Sequence, residues 1–281
     1  MSADLLALAE ALTVAVAKLR RARMQTKASK SLTLVVGAGF KVQQVAVLKA
    51  LAGYRTRWPI VPVEESAALR EASVDPMTVA LVNALTASGM PLQEAIETAA
   101  GQMFVDAAKL QATLFDFNPD TAWTLKHPQA VEYVKFAGAN AITNINDTTR
   151  KGIQDLIEQA VEDGWSYNQT AGAIRQYFDG FTAPQPQKHI PDRATLVAVT
   201  EVGTAYESGA RALIDEMASA GFEMQKSQLT AGDDRTSEGC RQNESAGWIP
   251  YDDNFPSGNQ IVPRFPSCRC SILYRRKPTL R

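Results

Sequence analysis

Residues 147–180 read DTTRKGIQDLIEQAVEDGWSYNQTAGAIRQYFDG, and this pattern predicts two helices joined by a tight turn. Asp147 can cap the first helix, and Gly164 suits its C-terminal stop. Ser166 and Gln169 have the spacing of a capping box for the second helix, which should end at Gly180. The apolar residues of the first helix recur at helical spacing: Ile153, Leu156, Ile157, Ala160 and Val161. Two helices with so short a connection should pack as a hairpin.

Helical patterns extend over most of the remaining chain. Residues 3–24 predict one helix, and residues 64–114 predict more, with Pro76 and Pro91 each in the first turn of a new helix. Another helix, at about 191–220, carries an apolar stripe that repeats every three or four residues. It is long enough to connect two modules or to lie along a neighbouring subunit.

The segment Leu32–Phe40 contains Val-Val-Gly-Ala-Gly, which is similar to the start of a phosphate-binding loop. The third glycine of a dinucleotide fingerprint is replaced by Val42, and no Gly-Lys-Ser/Thr follows. We therefore expect a short buried strand or the entry of a helix here, and no nucleotide site.

The composition changes after Gly221. Residues 223–281 hold five of the 14 prolines, all three cysteines, and short β-capable runs at 247–251 and 271–274. The fold class predicted is mainly α with a small α+β C-terminal module. Three segments are expected: an N-terminal helical region at 1–118, a helical body at 119–222 and the cysteine-containing module at 223–281.

Length and composition exclude several protein classes. The chain has 281 residues, of which 45% are hydrophobic and 21% charged, as in ordinary globular proteins. No apolar run is expected to span a bilayer, and three cysteines cannot form a disulfide framework. We therefore expect a protein that is made and kept in the cytoplasm.

Basic residues are concentrated at both ends of the chain, although the net charge is only -1. Such ends suit a polyanion or an acidic patch on a partner, but solvated helix faces also collect lysine and arginine. The candidates for nucleic-acid or partner contact are Lys18, Arg20, Arg21, Arg23, Arg275, Arg276 and Lys277.

The C-terminal module contains three motifs in order: TAGDDRTSEGC at 230–240, GWIP at 247–250 and VPRFPSCRC at 262–270. Upstream, AVTEVGTAY at 198–206 contains Thr-Glu after Val199. Together with the helical hairpin, these motifs resemble the phage Mu F-like head morphogenesis (minor capsid protein) family, over roughly residues 130–275. In the family's Arg-Thr-Glu helix, Val199 stands where arginine is usual. The residues that carry the resemblance are Thr200, Glu201, Asp233, Asp234, Arg235, Cys240, Gly247, Pro266, Cys268, Arg269 and Cys270.

Two departures from the family pattern affect metal binding. Ser237 stands where many relatives have the first cysteine of a Cys-x-x-Cys pair, and Phe265 stands where they have histidine. A structural zinc ion takes four Cys or His ligands, and three thiols remain: Cys240, Cys268 and Cys270. These thiolates with Asp233, Asp234 or a water could bind zinc. Phenylalanine in a ligand position instead favours a hydrocarbon-packed core with buried, reduced cysteines and no cofactor, and a disulfide from Cys240 to Cys268 or Cys270 is a third alternative.

Catalytic motifs are not expected in this sequence. Asp233 and Asp234 suit a turn better than a catalytic carboxylate pair, because adjacent side chains on a strand point to opposite faces. His127 and His189 lie beside no nucleophile motif and are interpreted as surface or loop histidines. We therefore expect that the protein is not an enzyme.

The resemblance implies a minor head or capsid protein that acts in head morphogenesis. Its expected partners are the portal protein, the major capsid protein and packaged double-stranded DNA, which it would bind without sequence preference. No membrane contact is expected in the assembled head. Its expected location is the host cytoplasm during assembly and then the virion, in the capsid interior or at the portal vertex. The alternative is an effector or toxin enzyme, with residues 1–118 carried on a Mu F-like module. A free DNA-binding regulator fits less well, because the part of the chain between the two basic ends is acidic.

Overall fold

A computed structural model describes residues 3–57, 67–181, 192–266 and 268–278. The fold is mostly helical, 68%, with a small sheet near the C-terminus, which confirms the predicted fold class. A short 3-10 turn, Arg55–Arg57, follows the first helix. The α-helices within these ranges are α1 (Ala3–Ala52), α2 (Ala67–Ala87), α3 (Met90–Phe115), α4 (Pro128–Glu162), α5 (Tyr167–Asp179), α6 (Arg193–Ser219) and α7 (Glu238–Ser245).

The sheet has three antiparallel strands, β1 (Met224–Leu229), β2 (Ile249–Pro250) and β3 (Ser271–Arg276), in the order β2-β1-β3. β2 and β3 lie in the two predicted β-capable runs, whereas β1 was not predicted. β1 and β3 pair along their whole length, from Met224 opposite Arg276 to Leu229 opposite Ser271. β3 is therefore an edge strand.

The N-terminal helix is longer than the sequence pattern predicted. α1 continues without interruption through residues 32–40, so the alternative of a short strand there was wrong. Gly39 of this helix lies close to α3, since a Cβ at this position would be only 3.1 Å from Leu92 Cδ1. Helical backbone at Gly37 and Gly39 also provides no phosphate-binding loop, as expected.

Two predicted helix starts were wrong. Pro76 lies inside α2, whereas Pro91 is in the first turn of α3, as predicted. Asp147 does not cap a helix, because α4 already begins at Pro128. The Asp147 carboxylate is exposed and pairs with Arg150 at 3.0 Å, three residues further along the same helix. The aspartate is a surface residue of a continuous helix.

The predicted helical hairpin is formed by α4 and α5. Ile153, Ile157 and Ala160 are buried on α4, and Gly164 follows the helix with a φ of 66°. The Ser166 side chain accepts a hydrogen bond from the Gln169 backbone N–H, and Gln169 Oε1 accepts one from the Ser166 backbone N–H at 2.8 Å. The capping box is therefore confirmed.

The chain divides into two compact units assembled from separate segments, and each combines parts of at least two of the three predicted regions. Unit 1 comprises Met1–Ser31, Thr98–Lys135 and Leu196–Arg281. Unit 2 comprises Leu32–Glu97 and Phe136–Thr195.

The core of unit 1 is formed around α3 and α6. Phe104 stacks on Tyr133 with ring centroids 4.7 Å apart, and Leu213 and Met217 pack in the same cluster. From residue 192 to residue 218, every α6 residue is buried or half-buried. Contact of this helix with a neighbouring subunit stays a prediction.

Unit 2 is built around an aromatic contact. Phe40 of α1 packs edge-on against Phe181, with centroids 4.8 Å apart. The Arg193 guanidinium lies over both rings, 5.3 Å from the Phe40 centroid and 4.3 Å from that of Phe181, and donates a hydrogen bond to the Ile145 carbonyl. His189, interpreted from the sequence as a surface or loop histidine, lies outside the described residues.

One helix contradicts the expectation that no apolar run is long enough to span a bilayer. Lys18–Ala52 is long and apolar enough to cross a membrane by length and composition alone, with a hydropathy of 1.4 in its most apolar window, of which 33% is buried. Within unit 2 this helix buries Val36, Phe40, Val47 and Leu51. Core helices of water-soluble proteins also meet this criterion.

Candidate functional site

Three cysteine thiols converge in the C-terminal module of unit 1. Their sulfur atoms, on Cys240 in α7 and on Cys268 and Cys270 just before β3, all lie within 4.8 Å of one another. Ser237 caps α7 and so fixes Cys240 at its first turn, since the Ser237 hydroxyl accepts a hydrogen bond from the Cys240 N–H at 3.3 Å. The three cysteines are free thiols in this structure.

The thiols have unequal acidities because they share hydrogen bonds. A hydrogen bond from the Cys270 thiol, helped by backbone N–H groups, lowers the pKa of Cys268 to about 5. The same bond, with burial, raises the pKa of Cys270 far above its usual range. The Arg264 guanidinium lies 3.7 Å from Cys240 Sγ. The arrangement therefore favours a thiolate on Cys268 beside a neutral thiol on Cys270.

The thiol cluster could provide three ligands for a zinc ion. Cys240, Cys268 and Cys270 are the groups that would hold the ion, which would supply a structural cross-link between α7 and the segment before β3. Among the described residues no further Cys, His, Asp or Glu joins this cluster, so a water would complete the coordination. Asp233 is not a candidate ligand, since both of its oxygens bind Arg269, at 2.8 and 2.6 Å. Asp234 is exposed.

Phe265 does not fill the thiol cluster with hydrocarbon. Its side chain is 42% exposed, so Phe265 takes no part in the core, although the expected hydrocarbon packing around buried Cys240 and Cys270 is present. The apolar atoms around the thiols come from Phe255, Val262 and Ile272. The neighbouring Arg264 is the side chain that contacts the cluster.

Asp233 organises the turn before α7. Its carboxylate accepts a hydrogen bond from the Arg235 backbone N–H at 3.2 Å and binds the Arg269 guanidinium through both oxygens. The hydrogen bonds from Arg269 lower the pKa of Asp233 to about 2. The turn interpretation agrees with this geometry, and the Asp233–Arg269 contact connects the first motif to the last.

The motif segment therefore folds as one connected site. Residues 151–273 match the family model Phage Mu protein F like protein. The match confirms the resemblance drawn from the motifs, and the family suggests a phage head-related, virion-associated protein. This Mu F-like segment is somewhat less than half of the 281-residue chain. No curated protein and no solved structure matches the chain.

Other motif residues of the Mu F-like segment lie in α6, in the turn before β2 and at the surface. Thr200 Oγ1 donates a hydrogen bond to the Leu196 carbonyl within α6, and Glu201 is half-buried, with burial raising its pKa to about 7. Gly247 has a φ of 65°, which only glycine adopts without strain, in the turn before β2. Pro266 is exposed.

Sequence reasoning missed Glu207 of α6. Its side chain is 1% exposed and pairs with Arg21 of α1 at 2.7 Å. Arg21 also donates a hydrogen bond to the Cys270 carbonyl at 2.9 Å, so it connects the N-terminal helix to the motif that carries the thiols. A glutamate next to Tyr206 in the apolar stripe was the available signal, because a buried carboxylate requires a cation.

The basic residues of the two chain ends lie partly together. Lys18, Arg21, Arg275 and Arg276 all line one cavity of about 380 Å³ in unit 1. Arg20 and Arg23 are exposed on α1. Lys277 pairs with Glu223 at 2.9 Å.

His127 is not a surface histidine. Its imidazole is buried and stacks on Trp123 with ring centroids 3.8 Å apart, where α4 begins. Trp123 Nε1 in turn donates a hydrogen bond to Glu216 of α6 at 3.2 Å. These contacts give His127 a packing role.

Proposed function

We propose that this chain is a minor head protein that acts in phage head morphogenesis and associates with the portal protein and the major capsid protein. The observation that carries the proposal is the match of residues 151–273 to the Mu F-like family. The contact between Asp233 and Arg269 supports it, because the family-like motifs form one folded site and are not scattered over the surface.

Contact with packaged double-stranded DNA is the second part of the proposal. Lys18, Arg20 and Arg23 are exposed on α1, where phosphates can reach them. Such contacts act through charge and release counterions, so the affinity for duplex should fall steeply as salt rises and should show no sequence preference.

The proposed role involves no catalysis and does not require zinc. The proposed location is the host cytoplasm during assembly and the virion afterwards. The alternative, an effector or toxin enzyme in residues 1–118, predicts activity of the full-length chain on a host target or on nicotinamide dinucleotide.

Particle composition tests the proposal. Particles made by the virus or prophage that carries the gene are purified, and their proteins are identified by mass spectrometry after chemical cross-linking. We expect this chain in the heads, cross-linked to the portal protein, and fewer complete heads when the gene is deleted. Normal heads that lack the chain would contradict the proposal.

Complementation identifies the part of the chain that matters. Arg269→Ala, which removes the bidentate partner of Asp233, should restore fewer heads than the wild-type gene. Arg150→Ala is the matched control, since it removes an exposed ion pair on α4. Toxicity of the full-length chain without any effect on heads would support the effector alternative.

A further inference from the structure

We propose that the cavity beside β3 binds an extended acidic peptide segment of a partner protein, which adds to the free edge of that strand. The inference depends on unit 1 alone and does not require the proposed function. All six β3 residues line the cavity, together with Lys18 and Arg21 of α1 and Phe115 at the end of α3.

The hydrogen-bond pattern shows which β3 groups are available. Lys277 N–H donates to the Glu223 carbonyl, so alternate residues of this strand, Ser271, Leu273 and Arg275, direct their backbone groups towards β1. The backbone groups of Ile272, Tyr274 and Arg276 consequently point away from β1. Arg21 donates to the carbonyl of Cys270, the residue directly before this strand, at 2.9 Å, and the outer edge around Tyr274 lines the cavity.

The cavity is cationic. Lys18 from the N-terminal end and Arg275 and Arg276 from the C-terminal end contribute three positive groups beside Arg21, whose charge is paired with Glu207, and the described residues that line it include no aspartate or glutamate. Arg276 is held in place by neutral groups, since it donates to the Phe115 carbonyl at 3.1 Å and lies 4.3 Å from the Phe222 ring centroid. Its charge is therefore positioned without being neutralised by those two groups, which suits a carboxylate ligand.

The walls of the cavity are apolar. Leu114, Phe115, Ile272 and Leu273 contribute hydrocarbon, and the volume of about 380 Å³ is in the range of ordinary ligand sites. A duplex presents a convex phosphate surface and would leave these walls unused. Arg275 lies 4.2 Å from the Trp248 ring centroid and so covers the aromatic face on which a nucleobase would stack.

A peptide uses all three features. Its backbone can pair with the Tyr274 edge, alternate apolar side chains can enter the cavity, and carboxylates can reach the cations at its rim. The segment must be short, because the contact between Arg21 and the Cys270 carbonyl closes one end of the edge and the contact between Arg276 and the Phe115 carbonyl closes the other.

Strand addition is tested on the full-length chain with defined probes. The acetylated, amidated peptide Glu-Val-Glu-Val-Glu, labelled with fluorescein, is titrated by anisotropy. Its comparison probes are the Lys-Val analogue, the same acidic peptide N-methylated at alternate residues, and a labelled duplex of about 20 base pairs. Hydrogen exchange of the β3 amides is measured with and without each probe.

Among the peptides, we expect only the unmodified acidic one to bind and to slow exchange of the Tyr274 amide, whereas the duplex, which can reach the exposed basic residues of α1, should leave that amide unchanged. Lys18→Gln and Arg276→Gln should each weaken binding of the acidic peptide by about tenfold, whereas Lys126→Gln, an exposed control outside the cavity, should not. Lys18 is exposed, so its variant tests the charge without disturbing folding.

Three results would overturn the inference. Equal binding of the N-methylated peptide would exclude backbone pairing, and no binding of the acidic peptide at about 1 mM would exclude the site. Displacement of the peptide by the duplex, with the stronger affinity for the duplex, would assign the cavity to nucleic acid.

Discussion

Arg21 and Glu207 form an ion pair of 2.7 Å in which the two side chains are 12% and 1% exposed. Burial raises the pKa of Glu207 to about 7, and the attraction of Arg21 opposes this shift. The carboxylate therefore depends on its partner for charge compensation. This dependence is open to a direct stability measurement.

Arg21→Met should lower the free energy of unfolding by about 3 kcal/mol at pH 8, because an uncompensated charge is left in the interior. The loss should be smaller at pH 6, where Glu207 can bind a proton. Urea unfolding followed by circular dichroism measures both values.

The matched control for the ion pair is Arg20→Met, on the exposed side of α1, which should change stability by less than about 0.5 kcal/mol. Adding Glu207→Gln to Arg21→Met should recover much of the loss at pH 8. A double variant as unstable as Arg21→Met would show that packing, and not charge, is responsible.

Gly209→Ala should destabilise the protein strongly. A Cβ at Gly209 of α6 would overlap the backbone carbonyl of Phe104 in α3, and backbone atoms cannot rotate away. We expect a loss of about 3 kcal/mol in the free energy of unfolding, measured by the same denaturant titration.

Gly203→Ala is the control in the same helix. A Cβ there meets no atom within 4 Å, so the substitution should stabilise by up to about 1 kcal/mol through helix propensity. Equal effects of the two substitutions would contradict the close packing of α3 on α6.

Glu201 should make stability depend on pH. Burial raises its pKa to about 7, above the ordinary value of 4.5, so the folded state holds this proton more tightly than the unfolded state. The contribution is fully present below pH 4.5 and is lost as pH rises through 7.

Glu201→Gln removes that loss, and the variant should be more stable than the wild type by roughly 2 kcal/mol at pH 8 and similar to it at pH 4. Denaturation midpoints across this range provide the measurement. Glu132→Gln, exposed on α4, should leave the pH profile unchanged. If the stability of the wild type did not depend on pH between about 4 and 8, burial of the Glu201 carboxylate would be contradicted.

Cys268 should react first with alkylating agents. Its pKa of about 5 keeps it ionised at pH 6, where an ordinary thiol is neutral. Brief treatment with iodoacetamide at pH 6, followed by peptide mass spectrometry, should find the label on Cys268 well before Cys240 or Cys270. Preferential labelling of Cys240 would refute the assignment of the thiolate.

Zinc should be absent from the purified chain. The cluster supplies three sulfur ligands, and the Arg264 cation lies 3.7 Å from Cys240 Sγ. Native mass spectrometry should give the mass of the metal-free chain with and without chelator. A mass excess of one zinc ion that a chelator removes would show that three thiolates and a water suffice.

Local signals in the sequence predicted local structure correctly. The capping box of Ser166 and Gln169 needs only residues three positions apart, and Gly164 ends α4 for reasons within its own turn. The predicted length of α1 was wrong because residues 32–40 fitted a short strand as well as a helix, and the contact between Gly39 and Leu92 of α3 joins residues far apart in the sequence.

β1 could not be predicted because two of its three inward residues are polar. In the sequence MQKSQL, Lys226 and Gln228 are buried, so the apolar alternation of a strand is missing. Lys226 Nζ donates a hydrogen bond to the Gln260 carbonyl and lies 4.9 Å from the Phe255 ring centroid. These partners come from the loop before the third motif, and only the folded structure brings them to β1.

The contact between Arg21 and the Cys270 carbonyl joins residues 249 positions apart. During synthesis on the ribosome, α1 emerges long before the strand that completes its surroundings. Glu207 and Arg21 can pair only when α6 has left the exit tunnel, and the Cys270 carbonyl arrives later still. Unit 1 therefore reaches its final form only after translation has passed β3, and shortened products that stop before Cys270 should be targets for chaperones and proteases.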